Sequence, residues 1–351
     1  MQKYKRESRV VDIATRIGTQ TAALQAPVGI AVGAAVGGRK EGEGPLRARF
    51  DLLSEDSYFG QKSWEQAESV MLSRCFDLLC EKARISPAAL QYLLSGDLQS
   101  QCTGSSFALR DAGVPLFGLY GACSTMGEAM GLGALLIDGG AAEQVCALTS
   151  SHFCAAERQF RLPLEYGGQR TPTAQWTATA AGAVLLCRGG AFPRITHVTT
   201  GRIVDAGVTD ANNMGAAMAP AAWDTLQAHF RDTGRAPDYY DAVITGDLGR
   251  FGHDLLADLA HAEGTEFPKI FTDCGILLYD APAQDVHAGG SGCGCSASVF
   301  AGHILKCMQD RLWNRVLFAP TGALMSTVTS QQGESIPGIC HAIAIENPEV
   351  V

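Results

Sequence analysis

Apolar positions along the 351-residue chain follow two alternating rhythms. Ala67, Met71, Cys75, Leu78 and Leu79 recur at helical spacing behind Ser63-Trp64-Glu65-Gln66. That tetrapeptide is a capping box, with Ser at the N-cap and Gln three residues on, so the pattern predicts a helix ending near Arg84. Pro87 then introduces a strand-like run, Tyr92-Leu93-Leu94, which closes on Ser95-Gly96-Asp97-Leu98. The arrangement recurs downstream. Met218, Ala222, Leu226 and Phe230 lead to Pro237, then to Ala242-Val243-Ile244, then to Thr245-Gly246-Asp247-Leu248. Pro-to-Gly spacing is the same in both copies, which marks an internal duplication.

The parallel continues past each Gly-Asp-Leu. In the first half Leu116 to Tyr120 reads as a strand, Gly121-Ala122-Cys123-Ser124-Thr125 as a turn, and Met126 to Leu136 as a helix of small residues. In the second half the Gly-rich turn Gly289 to Ser296 opens a helix through about Met308. Strands follow at Gln144 to Thr149 and Arg315 to Ala319, and each half closes on one more, Ala181 to Cys187 and Ile339 to Ile345. Helix, strand, turn and helix, strand, strand, written twice, predicts layered α/β packing with two sheets. The expected organisation is an N-terminal extension over 1–26 and two halves over 27–190 and 191–351.

Composition narrows the function. Apolar residues make up 46% and charged residues 18%, enough for a large core and too apolar for a disordered chain. A net charge of −9, without a Lys/Arg-rich run, argues against nucleic acid as a partner. The start is basic (Lys3, Lys5, Arg6, Arg9) but leads into polar residues, so no signal peptide is expected. The apolar stretches Val28 to Val36 and Ala129 to Ile137 are too short and Gly-rich for a transmembrane helix. Twelve Cys without a signal peptide predict free thiols in a reducing compartment. Cys293 and Cys295 lack partners at zinc-finger spacing, so no metal site is assigned to them.

A strand-to-helix turn with Cys at its tip, inside a duplicated α/β plan, resembles the thiolase-like superfamily of ketoacyl synthases and thiolases. That resemblance implies a five-layered α-β-α-β-α fold of two duplicated halves and a homodimer. Lys40 to Leu46, Gly118 to Thr125, Thr149 to His152, Glu157 to Arg161, Pro172 to Thr177, Met214 to Ala222, Gly289 to Ser296 and Gly333 to Pro337 resemble, more narrowly, the stage V sporulation protein AD family. This second resemblance implies binding of dipicolinic acid, or calcium-dipicolinate, for uptake into the developing endospore. It further implies a soluble protein, peripheral at the spore inner membrane. Its partners would be membrane proteins of the same operon, the stage V sporulation proteins AC and AE. No cofactor is implied, and calcium enters only through the chelated ligand.

Candidate chemistry centres on Cys123. At a helix N-terminus a thiol meets the positive end of the dipole and free N–H groups, which favour the thiolate. The superfamily resemblance makes Cys123 the nucleophile position and implies two His, or His and Asn, as donors from the second half. This chain has Gly246-Asp247 and Ser291 to Cys295 at those places. Loss of one such donor costs about 10²–10³ in rate, so a binding protein is expected over a condensing enzyme. An acyltransferase using Cys123 is the alternative. Around it, the expected ligand-binding residues are His152 at a strand end, Gly290, Ser291, Cys293 and Cys295 in the Gly-rich turn, and His253 after the second Gly-Asp-Leu. Arg158 and Arg161 complete the set, because a planar dianion suits guanidinium forks in the long polar-aromatic segment Glu157 to Thr177, which also holds Arg170, Tyr166 and Trp176. Glu41, Glu43, Asp51, Glu55 and Asp56 read as a solvated acidic loop, with coordination of a hard cation as the sharper reading.

Overall fold

A computed structural model describes residues 14–160 and 169–348, with only the backbone of Phe160. The helix behind the capping box runs Trp64–Ala83, and Ser63 Oγ accepts from the Gln66 N–H as the box requires. Its counterpart spans Met214–Thr233. The duplicated strands are Tyr92–Gly96 and Ala242–Thr245.

Each half contributes five strands in equivalent order. The first runs Thr21–Gly37, Ala180–Arg188, Gln144–Ser151, Tyr92–Gly96, Leu116–Gly118; the second runs Arg194–Thr199, Ala342–Glu346, Arg315–Ala319, Ala242–Thr245, Ile270–Asp273. Parallel and antiparallel pairings match strand for strand between the halves. The two sheets expected from sequence are joined, because Thr21–Gly37 and Arg194–Thr199 pair antiparallel across the seam. That register breaks between Ala23 and Val28, where the chain bulges. The bulge leaves Gln25 and Ala26 N–H groups off the ladder, and both donate to Asp138 Oδ1, at 2.8 and 2.6 Å. The first strand thus begins before residue 27, inside the segment read as an extension.

Strand alternation splits the core into layers. Leu93, Leu148 and Ala183 face outward onto Met71, Cys75 and Leu79 of the first outer helix. Val243, Leu317 and Ala344 face Met218, Ala222 and Leu226 on the other side. Their chain neighbours Leu94, Ile244, Phe318 and Ile343 point into the middle, onto the helix Thr125–Asp138 and the helix opening at Cys293. This is the expected five-layered α-β-α-β-α stack.

The central helix is thin by composition. A Cβ on Gly131 would lie 2.9 Å from Val198 in the second half, and one on Gly133 would lie 2.9 Å from Leu186 in the first. Its neighbour begins as an α-helix over Cys293–Val299, passes through a π-helical stretch, Phe300–Ile304, and resumes over Leu305–Gln309. The closing strand expected at Ile339 to Ile345 is split at His341, with Gly338–Cys340 pairing instead with Thr321–Ala323. All twelve cysteines are free thiols, as the composition suggested.

Gly182→Ala tests the tightness of the middle layer. A methyl group there would collide with the carbonyl group of Ala297, whereas one at Gly118 meets nothing within 4 Å. The expected cost is about 1–3 kcal/mol for Gly182→Ala in chemical denaturation. Gly118→Ala, the control, should leave the midpoint nearly unchanged.

Candidate functional site

Cys123 is placed by a strained turn. Ala122 just before it has φ 49°, a left-handed conformation costly for any residue with a Cβ. Three local hydrogen bonds hold the turn: Gly121 N–H to Thr125 Oγ1 at 3.1 Å, Ser124 Oγ to the Gly121 carbonyl at 2.7 Å, and Thr125 Oγ1 to the Ala122 carbonyl at 2.6 Å. The facing turn needs glycine for a different reason. Gly292 has φ 99°, and a Cβ there would meet Ser151 Oγ at 2.6 Å. Both central helices therefore start at one place, one led by Cys123 and the other by Ser291 and Gly292.

A cleft opens over this junction. Cys123, Ser291, Gln175, Thr177 and Glu157 give it polar atoms; Leu98, Ala122, Met214, Met218, Ala323 and Met325 give it apolar walls. Cys123 Sγ lies 3.8 Å from Ser291 Oγ, which donates to Asp247 Oδ2 at 3.3 Å. Thr321 Oγ1 donates to the other carboxylate oxygen at 3.1 Å. The nearby Cys123 thiol and Gly292 backbone favour the charged form of this carboxylate. Burial, followed by the charge of nearby Asp273, pushes Asp247 up to about 7. The Cys123 thiol is pushed well above its ordinary range, first by burial and then by Asp247. The thiolate expected from the helix N-terminus is therefore not favoured, because desolvation and an adjacent carboxylate outweigh the dipole.

Gln175 is 4% exposed. Its Nε2 donates to the Asp247 carbonyl and, at 3.3 Å, to the Gly290 carbonyl, while its Oε1 has no partner. An unpartnered buried acceptor at a cleft wall is costly unless a bound group donates to it. Glu157 accepts from Thr177 Oγ1 at 3.0 Å on the same wall.

The other expected residues separate. Gly290 pairs with Trp176 behind the cleft. Cys293 lies under Cys123, wholly buried, donating to the Ser150 carbonyl at 3.0 Å. Cys295 is buried within the middle layer and does not reach the cleft, because the helix turns it away. His152 is also off the cleft: its Nε2 meets the Ser57 carbonyl at 2.8 Å, so it braces a loop. His253 stacks on Phe271 with centroids 4.2 Å apart and pairs with Asp254, away from Cys123. Arg158 pairs with Glu65 at 2.9 Å and lies over Trp64, on the outer face. Arg161 and Tyr166 lie outside the described residues. Arg170 lies over Trp176, whose indole stacks on Phe153.

The acidic loop does not converge either. Glu41 is buried and accepts from Thr179 N–H and Tyr279 OH; Glu43 pairs with Arg39, with Glu55 nearby; Asp51 pairs with Lys82; Asp56 caps a turn. Sequence reasoning missed Asp247, Gln175 and Glu157 as site residues. The repeated Gly-Asp-Leu pointed at Asp247, but its Asp was read only as a lost donor.

Known proteins now bear on the site. Residues 18–346 match the family model described as Stage V sporulation protein AD. The stage V sporulation protein AD of Bacillus subtilis (strain 168) is 40% identical over 329 residues, covering 94% of this chain and 97% of that protein. The chain belongs to the stage V sporulation protein AD family. Solved structures at lower identity show the fold of this family member. The 3-oxoacyl-[acyl-carrier-protein] synthase III of Aquifex aeolicus has a TM-score of 0.55 at 13% identity, covering 91% of this chain and 99% of that one. The cerulenin-bound OleA of Xanthomonas campestris gives 0.57 at 14%, covering 92% and 97%. The synthase III of Xanthomonas oryzae gives 0.57 at 15%, covering 92% and 99%. The architecture is thus thiolase-like.

Two measurements check the electrostatics. Asp247→Asn should raise the thermal midpoint more at pH 8 than at pH 5. A carboxylate raised to about 7 on folding is most costly above that value, where both states are ionised, and less so as the folded state protonates. The same substitution should speed alkylation of Cys123 at pH 8, read by peptide mapping, because the charge opposing the thiolate is gone.

Proposed function

We propose that the cleft over Cys123 binds dipicolinic acid, free or as its calcium chelate, and that the protein serves uptake of this compound into the developing endospore. One observation carries the binding reading: Asp247 stands beside Cys123 and Ser291 where condensation requires a donor. An ionised carboxylate only accepts, and it opposes both a thiolate and an oxyanion. What survives is a pocket with apolar walls and a polar floor, suited to a flat aromatic acid whose carboxyl groups meet Ser291 and Thr177, with Asp247 buried behind Ser291. Among the described residues no three His, Cys, Asp or Glu side chains converge as a metal site, so calcium enters this reading as part of the ligand.

A second reading, acyl transfer through Cys123, is favoured by the preserved strained turn and by the fold shared with the synthases. Mass spectrometry after incubation with acyl-CoA separates the two. An adduct on Cys123 that vanishes in Cys123→Ala supports transfer.

No helix among the described residues is long and apolar enough to cross a membrane. Uptake therefore needs membrane partners, and the stage V sporulation proteins AC and AE are the proposed ones, with this chain peripheral to them at the spore inner membrane. The homodimer is proposed at the edge strand Leu116–Gly118, all three residues of which are exposed. Leu116 and Phe117 leave an apolar edge with free backbone groups, which pairs readily with a second copy. Phe117→Lys should shift the sedimentation coefficient from dimer to monomer.

Calorimetric titration tests the ligand. Binding of dipicolinate should be saturable, abolished by Ala323→Trp, and several-fold weaker at pH 8 than at pH 6 as Asp247 ionises. Asp247→Asn should flatten that dependence. Absence of heat with both dipicolinate and its calcium chelate would sink the proposal.

A further inference from the structure

We infer that a second site, at the opposite end of the central helices, binds a phosphate-class anion. It is a cavity lined by Gly33 of the long strand Thr21–Gly37, by Arg49, by Lys82 at the end of the first outer helix, by Lys306 and Gln309, and by one carboxylate, Asp51, which Lys82 neutralises. Along the helix from Cys293, its lining residues Ala301 to Gln309 lie about 12–24 Å from the Cys123 end, at 1.5 Å per residue.

Three observations build the site. First, the cations converge from segments far apart in sequence, in a chain of net charge −9. Lys82 is held by Asp51 at 2.7 Å and Lys306 by Asp310 at 2.7 Å, each by a single carboxylate oxygen. An ammonium carries three donors, so each lysine is fixed in place with donors to spare. Second, Arg49 is half-buried and, among the described residues, its guanidinium has no hydrogen bond and no carboxylate partner. Arg49 lines the cavity together with Ala301, Gly302 and Lys306, and its charge, after burial, pushes His303 below its usual range. Third, the backbone is locked there. A Cβ on Gly302 would collide with the Arg49 carbonyl, and one on Gly33 would lie 2.7 Å from the Ala301 carbonyl. The π-helical stretch Phe300–Ile304 is what brings Ala301 and Gly302 to the cavity, and such departures from α geometry concentrate at functional sites.

A guanidinium fork flanked by two pinned ammonium groups matches a tetrahedral oxyanion better than a lone carboxylate. The ligand class is a phosphate mono- or diester, supplied by a soluble molecule or by a lipid headgroup. Calorimetry with inorganic phosphate at low ionic strength should show binding to the full chain, weakened about tenfold or more in Arg49→Ala. Arg49→Lys, which keeps the charge and loses the fork, should fall between. Co-sedimentation with phosphatidylglycerol vesicles against phosphatidylcholine vesicles identifies the source. Retention on the anionic vesicles that Arg49→Ala abolishes points to a headgroup; phosphate binding without retention points to a soluble ester. Dipicolinate titration stays unchanged in these variants. The inference is overturned if neither phosphate nor anionic vesicles bind, or if Arg49→Ala, melting like the parent, binds them equally well.

Discussion

The helix Thr125–Asp138 runs between the two halves of the molecule, and the separation of the halves is set by side chains that helix lacks. Gly127 meets Pro320, Gly131 meets Val198 and Ile343, and Gly133 meets Leu186 and Val145. At its far end Asp138 takes the two N–H groups released where the seam strands fall out of register. The one helix therefore spaces the sheets and secures the place where they join. Its N-terminus is fixed as a result, and so is Cys123. The position of the Cys123 turn is thus tied to how the halves are held apart.

Buried acids shape what that geometry can do. Asp247, Asp273, Asp97 and Glu68 are fully buried, and each is held by hydroxyl, amide or backbone donors. Glu68 is pushed up to about 8 by burial and then by Asp97. Among the described residues none of these groups pairs with Lys or Arg, and the charge of His253 acts only on Asp273, so the polar core rests mainly on neutral donors. A thiol in such surroundings keeps its proton. An imidazole opposite the same turn would stabilise an anion that an ionised Asp247 repels.

Much of the fold was legible in the chain. The capping box, the paired Pro-to-Gly spacings and the small-residue helix each named an element that the structure contains, because local periodicity and caps govern those elements. The seam was not legible. Thr21–Gly37 is an apolar run whose pairing with Arg194–Thr199 depends on a distant strand and an irregular register. The site was read by half. Cys123 and Ser291 sit at turns with sequence signatures, but Gln175 gains meaning only when its strand end is brought against Gly290. His152, His253 and Arg158 looked available in one dimension, and each found a partner that only three dimensions supply.

The duplicated Gly-Asp-Leu has a further bearing. In the first half Asp97 is sealed by its own loop, accepting from Gln99 and from both donors of Ser105. In the second half the equivalent Asp247 accepts from Ser291, which lines the cleft, and from the buried Thr321. One copy is committed to holding its loop; the other, equally buried, lies one hydrogen bond behind the cleft wall. The two equivalent acids thus do different work in the two halves. A change at Asp247 reaches the cleft through Ser291, whereas a change at Asp97 undoes the loop that Gln99 and Ser105 close on it.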